Sequence, residues 1–335
     1  MNSSQLSQLL FELYNTETPE DERKKLLLTS IADCEINDYL VAANFLFNVV
    51  NFDFLDALQK DKVMLSIIGK INSIQELTFD AGTNLAMLFA ERNEIGISVK
   101  LIEAGISIES QNTGGDTILF YAVLSNKLEN ITTLESIGAS FNLNEKQQAN
   151  LIHTACANGN LEIIKYLLDK GISPTIKDSF NKNCLETISL YSDSPDVMNF
   201  MFSYFDQDKI DSSQLLHNCI INENNLCTTL LLEKGIASEF FDRDTSPGDI
   251  FEHAFQDFIS DGKNQIQEND EELVKGKCAL YIMKRDYELT DFLSLSKEPK
   301  HIKFLCNIYK STPMQLLRLD LDDDTKRVIK LAFAY

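Results

Sequence analysis

The side chains best suited to chemistry in this sequence are histidines and cysteines, and some of them lie close together in the chain. His153 precedes Cys156 by three residues, which places an imidazole and a thiol on one face of a helix. Cys278, His301 and Cys306 form a second set in the C-terminal part, with acidic residues nearby. A thiol beside an imidazole is the arrangement of a cysteine nucleophile and its base, so either set could serve a cysteine hydrolase.

Neither set carries a sequence signature for that chemistry. The sequence has no Cys-x2-Cys or His-x3-His pair for zinc and no glycine-rich phosphate motif. The acidic run at 320–324 lacks the glycine and closing glutamate of a calcium loop, which favours a solvated turn. We therefore predict no catalytic residue, no metal and no cofactor. An enzyme with a cysteine-based active site in the C-terminal region, to which the rest of the chain recruits substrate, is the alternative.

The segment 150–178 shows which elements must position these side chains. It contains two short amphipathic helical patterns, separated by the Asn-Gly-Asn sequence at 158–160 and closed by Gly171. The second pattern has the i, i+3, i+4, i+7 spacing of a helix face, carried by Leu161, Ile163, Ile164, Leu167 and Leu168. One such hairpin has apolar residues on too many sides to be stable alone, so it needs a copy on each flank.

Copies of this hairpin are present at a nearly constant spacing. Gly105, Gly138 and Gly171 lie 33 residues apart. The apolar residue that opens the first helix recurs at a similar spacing, as Leu85, Leu119, Ile152, Leu185 and Leu216. The chain is therefore predicted to be a stack of helix hairpins over about half of its length.

These copies resemble the ankyrin repeat, whose period is about 33 residues. The resemblance is carried by residues 115–122 (GDTILFYA), 151–155 (LIHTA), 215–219 (LLHNC) and 161–171 (LEIIKYLLDKG), and it extends over about 80–241. It implies that His153 and His217 hydrogen-bond to backbone, and that Cys156 is a packed small residue. The sequence departs from the family pattern in lacking its Thr-Pro pair between 80 and 241, and in Pro195, which falls at the start of a second helix.

We predict an all-α ankyrin-repeat solenoid of about five repeats at 81–241. A helical N-terminal capping module is expected at 1–80 and an irregular helical C-terminal region at 242–335, with a flexible loop near 261–270. Because residues 311–317 (STPMQLL) resemble a repeat opening, the C-terminal region is interpreted as one or two degenerate repeats ending in a cap. A separate small helical domain is the alternative.

Composition limits the kind of partner. The net charge of −21, from 30 basic and 51 acidic residues, argues against nucleic acid and anionic membrane surfaces and favours a basic partner. No stretch approaches the ~20 apolar residues of a membrane span. Seven scattered cysteines indicate reduced thiols and a cytoplasmic setting. The N-terminus lacks the basic start of a secretory signal, as would a protein that a bacterium delivers into a host cell by dedicated machinery.

The ankyrin resemblance implies binding of a partner protein through the concave face and the loop tips. Exposed tyrosine and phenylalanine are typical interface anchors. The predicted partner-binding residues are Tyr121, Leu124, Thr154, Asn158, Lys177, Phe180, Tyr191, Asn218 and Asn222. For Phe180 the alternative is packing under the neighbouring loop.

Composition and degenerate repeats together resemble bacterial ankyrin-repeat effectors, which act on eukaryotic proteins. We therefore expect a monomer that binds a protein partner, including a host protein with a basic surface. A scaffold that oligomerises is a further alternative.

Overall fold

A computed structural model describes residues 1–206, 210–236, 241, 245–260, 270–293, 295 and 298–333, without the side chains of 257–260 and 270–273. The described chain is built of α-helices and one pair of two-residue strands, which confirms the predicted all-α class. Its contacts divide it into two compact units, residues 1–184 and 185–335. The boundaries proposed near 80 and 241 remain predictions, and the loop expected near 261–270 lies outside the described residues apart from the start of a helix at Asp270.

The first unit consists of short helices and one small strand pair. In chain order these are α1 (Ser3–Leu13), α2 (Glu20–Ala32), α3 (Tyr39–Asn51), α4 (Ala57–Ile68), β1 (Thr78–Phe79), β2 (Thr83–Asn84), α5 (Leu85–Glu91), α6 (Ile95–Glu103), α7 (Ile118–Leu124), α8 (Leu128–Ser136), α9 (Glu145–Ala157) and α10 (Leu161–Asp169).

The hairpins α5–α6, α7–α8 and α9–α10 stack in the predicted order. The first helices pack against one another in the order α5, α7, α9. The second helices α6 and α8 also pack against each other and form a second row. Helices α6, α8 and α10 begin at Ile95, Leu128 and Leu161, which are 33 residues apart. Leu85, Leu119 and Ile152, the residues that define the period in the sequence, are all buried. Burial of a repeated apolar face between neighbours is therefore what holds this unit together.

The N-terminal helices continue the same two rows. Helix α1 packs on α3 and α2 on α4, and α4 then contacts α6. Ile36 and Ile71 form a parallel bridge between the loops that follow these two hairpins. Helix α3 begins 36 residues after α1, so the spacing is near the repeat period. The sequence concealed this relation because these hairpins lack the glycines and histidine that mark the later copies.

The turn between the two helices of each hairpin has a common construction. Asn93, Asn126 and Gly159 occupy it with φ of 63°, 59° and 65°, a left-handed conformation that asparagine and glycine tolerate. The Asn130 side chain donates to Asn93 Oδ1 at 2.9 Å, and the Asn160 side chain donates to Asn126 Oδ1 at 2.8 Å. These hydrogen bonds between asparagine side chains join each turn to the next hairpin. The register between neighbouring hairpins is therefore fixed by hydrogen bonds as well as by apolar packing.

The second unit begins at Leu185, the second residue of helix α11. Its helices are α11 (Cys184–Tyr191), α12 (Pro195–Phe202), α13 (Ser212–Ile221), α14 (Asn225–Glu233), α15 (Pro247–Ser260), α16 (Asp270–Asp286), α17 (Leu289–Leu293), α18 (Pro299–Ile308), α19 (Pro313–Leu316) and α20 (Asp323–Phe333). Pro195 stands at the first position of α12, where its missing N–H costs nothing, so it starts that helix as expected.

The C-terminal helices of this unit have an aromatic core. Helix α15 packs on α16 and α17, and α18 packs on α20. Phe251, Phe255, Phe292 and Phe304 are buried together, with ring centroids 5.5 to 6.1 Å apart. Thr312 caps α19 through its side chain, as its Thr-Pro sequence predicts, but α19 has only four residues. The repeat-like opening is thus not followed by a full first helix.

Candidate partner-binding surface

The loop tip at residues 178–182 is a closely hydrogen-bonded turn. The Asp178 amide donates to the Lys182 carbonyl at 3.0 Å, and the Asn181 amide donates to the Asp178 carbonyl at 3.0 Å. The Asp178 carboxylate also accepts from the amides of Phe180 at 2.9 Å and Lys182 at 2.8 Å. Asn181 adopts φ of 62°, which an asparagine tolerates. Asp178 and Asn181 are not among the residues predicted from the sequence, although an aspartate and an asparagine at these offsets are a signal for such a turn.

This turn holds Phe180 in solvent. The Phe180 side chain is 80% exposed, so the alternative in which it packs under the neighbouring loop is wrong. Lys177 is exposed as well, and its ammonium donates to the Asn181 side chain at 3.2 Å. The turn therefore exposes an aromatic ring, Phe180, and a cation, Lys177, that are three residues apart in the sequence.

The same turn occurs 66 residues earlier, where it is covered. The Asn112 amide donates to the Asp116 carbonyl and the Gly115 amide donates to the Asn112 carbonyl, both at 3.0 Å. Lys146 and Gln147 then donate to the carbonyls of Gly114 and Gly115 at 2.6 Å. They lie in the first turn of α9, which Asn144 caps. Helix α9 begins at Glu145, so the two residues that cover this turn are helical.

Three other predicted residues of the first unit have intermediate or high exposure. Leu124 and Thr154 are half-buried, and Asn158 is exposed. The Asn158 side chain donates to the Val123 carbonyl at 3.2 Å, so it also links neighbouring hairpins. These positions remain predictions for partner contact.

The expectation that Tyr121 points into solvent is wrong. Tyr121 is buried, and its hydroxyl pairs with Thr83 at 3.0 Å and accepts from the Asn112 side chain at 2.9 Å. Through these two contacts, the hydroxyl joins the turn at 112–116 to the strand pair. The tyrosine is therefore a structural residue in this conformation.

Asn218 is also buried instead of exposed. Its side chain donates to Ser189 Oγ at 3.0 Å and accepts from Gln214 at 2.9 Å. Elsewhere in the same unit, Tyr191 is 68% exposed and Asn222 is exposed, with the Asn222 side chain donating to the Asn218 carbonyl at 2.8 Å. Tyr191 and Asn222 therefore remain available for contact, whereas Asn218 orders the helix pair.

His153 has the structural role that its repeat position implies. Its Nε2 lies 3.0 Å from the Ile176 carbonyl and 3.9 Å from Cys184 Sγ. Contact with Cys156 and His153, opposed by burial, lowers the pKa of Cys184 to about 6. Contact with Cys184, together with burial, raises the pKa of Cys156. Cys156 and Cys184 are fully buried, so no substrate reaches either thiol in this conformation.

The C-terminal histidine and cysteines lie in buried or half-buried surroundings. The His301 ring packs against Phe255 and Phe251 with centroid distances of 4.5 and 5.3 Å. Its Nδ1 is buried without a hydrogen-bond partner, and burial lowers its pKa. Cys278 is buried, and burial raises the pKa of the half-buried Cys306. A catalytic base is normally oriented by a third group, which His301 lacks in the described structure.

Two further kinds of site were sought among the described residues. No group of three or more His, Cys, Asp or Glu side chains there is placed to hold a metal ion. No helix in that part of the chain is long and apolar enough to cross a membrane.

Comparison with known proteins supports the repeat interpretation. Residues 136–188 match the profile of the family described as ankyrin repeats (many copies). The resemblance to ankyrin repeats is confirmed for this segment. Among solved structures, the chain is similar to the ankyrin repeat domain of human ASB11, with 18% identity over 51% of this chain and 79% of that chain and a TM-score of 0.41. Comparison with curated proteins gives no match.

Proposed function

We propose that this chain binds a partner protein, and that the loop tip at residues 178–182, together with Lys177, is a central part of the contact. The observation that carries the proposal is Phe180, 80% exposed on a turn held by four hydrogen bonds. Residues 136–188 match ankyrin repeats, which are generally protein–protein interaction modules. Aromatic residues are enriched among the side chains that dominate binding energy at interfaces.

The construction of the tip supports binding by rigid display. Association is weakened when loops and side chains must be ordered on contact. The hydrogen bonds of Asp178 and Asn181 fix the tip before any partner arrives, so less ordering remains to be done. The proposed mechanism is therefore a preformed contact surface on stacked hairpins.

The nature of the partner is part of the proposal. A net charge of −21 favours a partner with a basic surface, because opposite charges accelerate encounter. We include the narrower hypothesis that the partner is a eukaryotic host protein and that the chain acts as a monomer, either in its own cytoplasm or after delivery by a bacterium into a host cell. Its support is the composition and the degenerate repeats alone.

Affinity capture from a eukaryotic lysate tests the proposal with a matched pair of variants. Phe180→Ser and Phe11→Ser each remove a phenylalanine that is 80% exposed, so both should leave folding unchanged. We expect a partner that wild type and Phe11→Ser recover equally, and that Phe180→Ser recovers at least about tenfold less, the effect of an interface anchor. Equal recovery by all three baits would remove the tip from the interface.

A further inference from the structure

A second surface of the first unit has the features of a binding groove. It lies between α3, the strand pair and α5, and its volume is about 120 Å³. Its lining includes Tyr39, Leu40, Phe47, Phe79, Leu88 and Arg92. Leu40 is 50% exposed and Phe79 is 46% exposed, so two large apolar side chains face solvent at this groove.

One wall of the groove is a stacked aromatic pair. Tyr39 is buried and stacks on Phe79 with a centroid distance of 5.2 Å. The Tyr39 hydroxyl lies below the surface, so the groove meets the rings and not the hydroxyl. The groove therefore offers apolar contact on this side.

The groove also contains a cation that lacks an anionic partner. The Arg92 guanidinium lies over the Phe47 ring at 5.5 Å. Within the described residues it forms neither an ion pair nor a hydrogen bond. A guanidinium in a chain of net charge −21 would be expected to pair with one of its many carboxylates. Arg92 is thus available for an anion from outside, and arginine binds carboxylates in a two-bond geometry.

We propose that this groove binds a segment of a partner protein in which an apolar side chain lies next to a carboxylate. The groove of about 120 Å³ is smaller than an apolar cavity of about 150 Å³ that encloses a benzene ring, so it suits a small aliphatic side chain or part of an aromatic ring and is too small for a nucleotide. The carboxylate pairs with Arg92, and the apolar side chain packs against Leu40 and Phe79. This inference rests on the proposed function, because it adds a second contact for a protein partner.

Binding of small probes tests the groove without knowledge of the partner. N-acetyl-L-phenylalanine supplies a ring and a carboxylate, N-acetyl-L-phenylalaninamide lacks the charge, and N-acetylglycine lacks the ring. Titrations are followed by NMR on the arginine Nε signals, with Arg92 assigned from the spectrum of Arg92→Gln. Arg92 is exposed, so this substitution should leave the fold intact. Arg327→Gln, which removes an exposed cation elsewhere, is the matched control.

We expect a saturable shift of the Arg92 signal with the acid, and at least fivefold weaker binding of the amide and of acetylglycine. Arg92→Gln should weaken the acid at least fivefold and abolish its advantage over the amide, while Arg327→Gln changes neither. The proposal is overturned if the acid shows no saturable shift, if acid and amide bind equally, or if Arg92→Gln binds the acid as well as wild type does.

The two proposals fail in different ways. Probe binding that is independent of Arg92, together with partner capture that depends on Phe180, refutes the groove and leaves the tip in place. Probe binding through Arg92, with capture unaffected by Phe180→Ser, supports the groove and refutes the tip.

Discussion

The hydroxyl of Tyr121 shows how a side chain can have the right type and position for an interface and still serve the fold. The sequence places Tyr121 on the first helix of a repeat, where it was expected to face solvent. It is buried because Thr83 and Asn112 both reach its hydroxyl. Periodicity predicts which residues share a helix face, but not which polar partners the next loop supplies.

Removing that hydroxyl should therefore affect stability and leave partner binding intact. We expect Tyr121→Phe to lower the free energy of unfolding by about 1–2 kcal/mol, because Asn112 and Thr83 lose a buried partner. Urea unfolding measures this. Tyr191→Phe, which removes an exposed hydroxyl, should change stability by less than about 0.5 kcal/mol. A Tyr121→Phe variant as stable as wild type would contradict the structural role.

At the scale of elements, the turn at 178–182 depends on one left-handed residue. Alanine is strained at this conformation and glycine is not, while both lose the side-chain contact with Lys177. We therefore expect Asn181→Ala to be less stable than Asn181→Gly by about 1 kcal/mol, as judged by thermal unfolding. Partner capture by the alanine variant should weaken, although Phe180 itself is unchanged in this variant. If both variants capture equally well, the geometry of the tip is unimportant for binding.

The packing of α18 on α15 gives a pH-dependent prediction. Burial lowers the pKa of His301 below its usual value of about 6.5. Well above that pH the imidazole is neutral in both states, so its titration does not change the stability there. As the pH falls, the unfolded state binds the proton first, so stability declines until the pH has passed the folded-state pKa.

His301→Phe removes this titration and keeps a ring between Phe251 and Phe255. Urea unfolding at several pH values between about 7.5 and 5 should show the variant gaining stability relative to wild type as the pH falls. His253→Phe, a substitution on the neighbouring α15, is the control. A wild-type curve with the same slope as His301→Phe would show that His301 does not titrate differently in the folded state.

The sequence predicted the elements better than it predicted their surfaces. The starts of α6, α8 and α10 follow from one repeated apolar stripe, since burial of that stripe is what makes the helices. The start of α9 at Glu145 was missed, although Asn144 and Gln147, three residues apart, form a capping box that is a local sequence signal. The groove at Arg92 was missed for a different reason, since its walls come from elements that are distant in sequence. Phe180 was identified because a turn is a local feature, but its exposure also requires that no helix covers the turn, as α9 covers the equivalent turn at 112–116.

At the scale of the whole molecule, the reactivity of the seven thiols tests the proposed binding function against a cysteine enzyme. Six cysteines are buried and Cys306 is half-buried. Burial raises the pKa of Cys306, so little of it is thiolate near neutral pH and it should react more slowly than a free thiol. Cys184 has the low pKa of a reactive thiol but no access to solvent, so its labelling requires local opening of a hairpin.

We therefore expect iodoacetamide near pH 7 to modify Cys306 first in the native protein and the other six only slowly. Mass spectrometry of peptides at increasing times gives the order, and denaturant should make all seven react alike, which controls for intrinsic reactivity. Late labelling of Cys156 and Cys184 at similar rates would indicate one opening event at the contact between these two thiols, which lie on α9 and at the start of α11. Native Cys278 reacting faster than Cys306 would mean that its helix opens to reagents, and it would favour a cysteine-based active site in the C-terminal region over the binding function proposed for the chain.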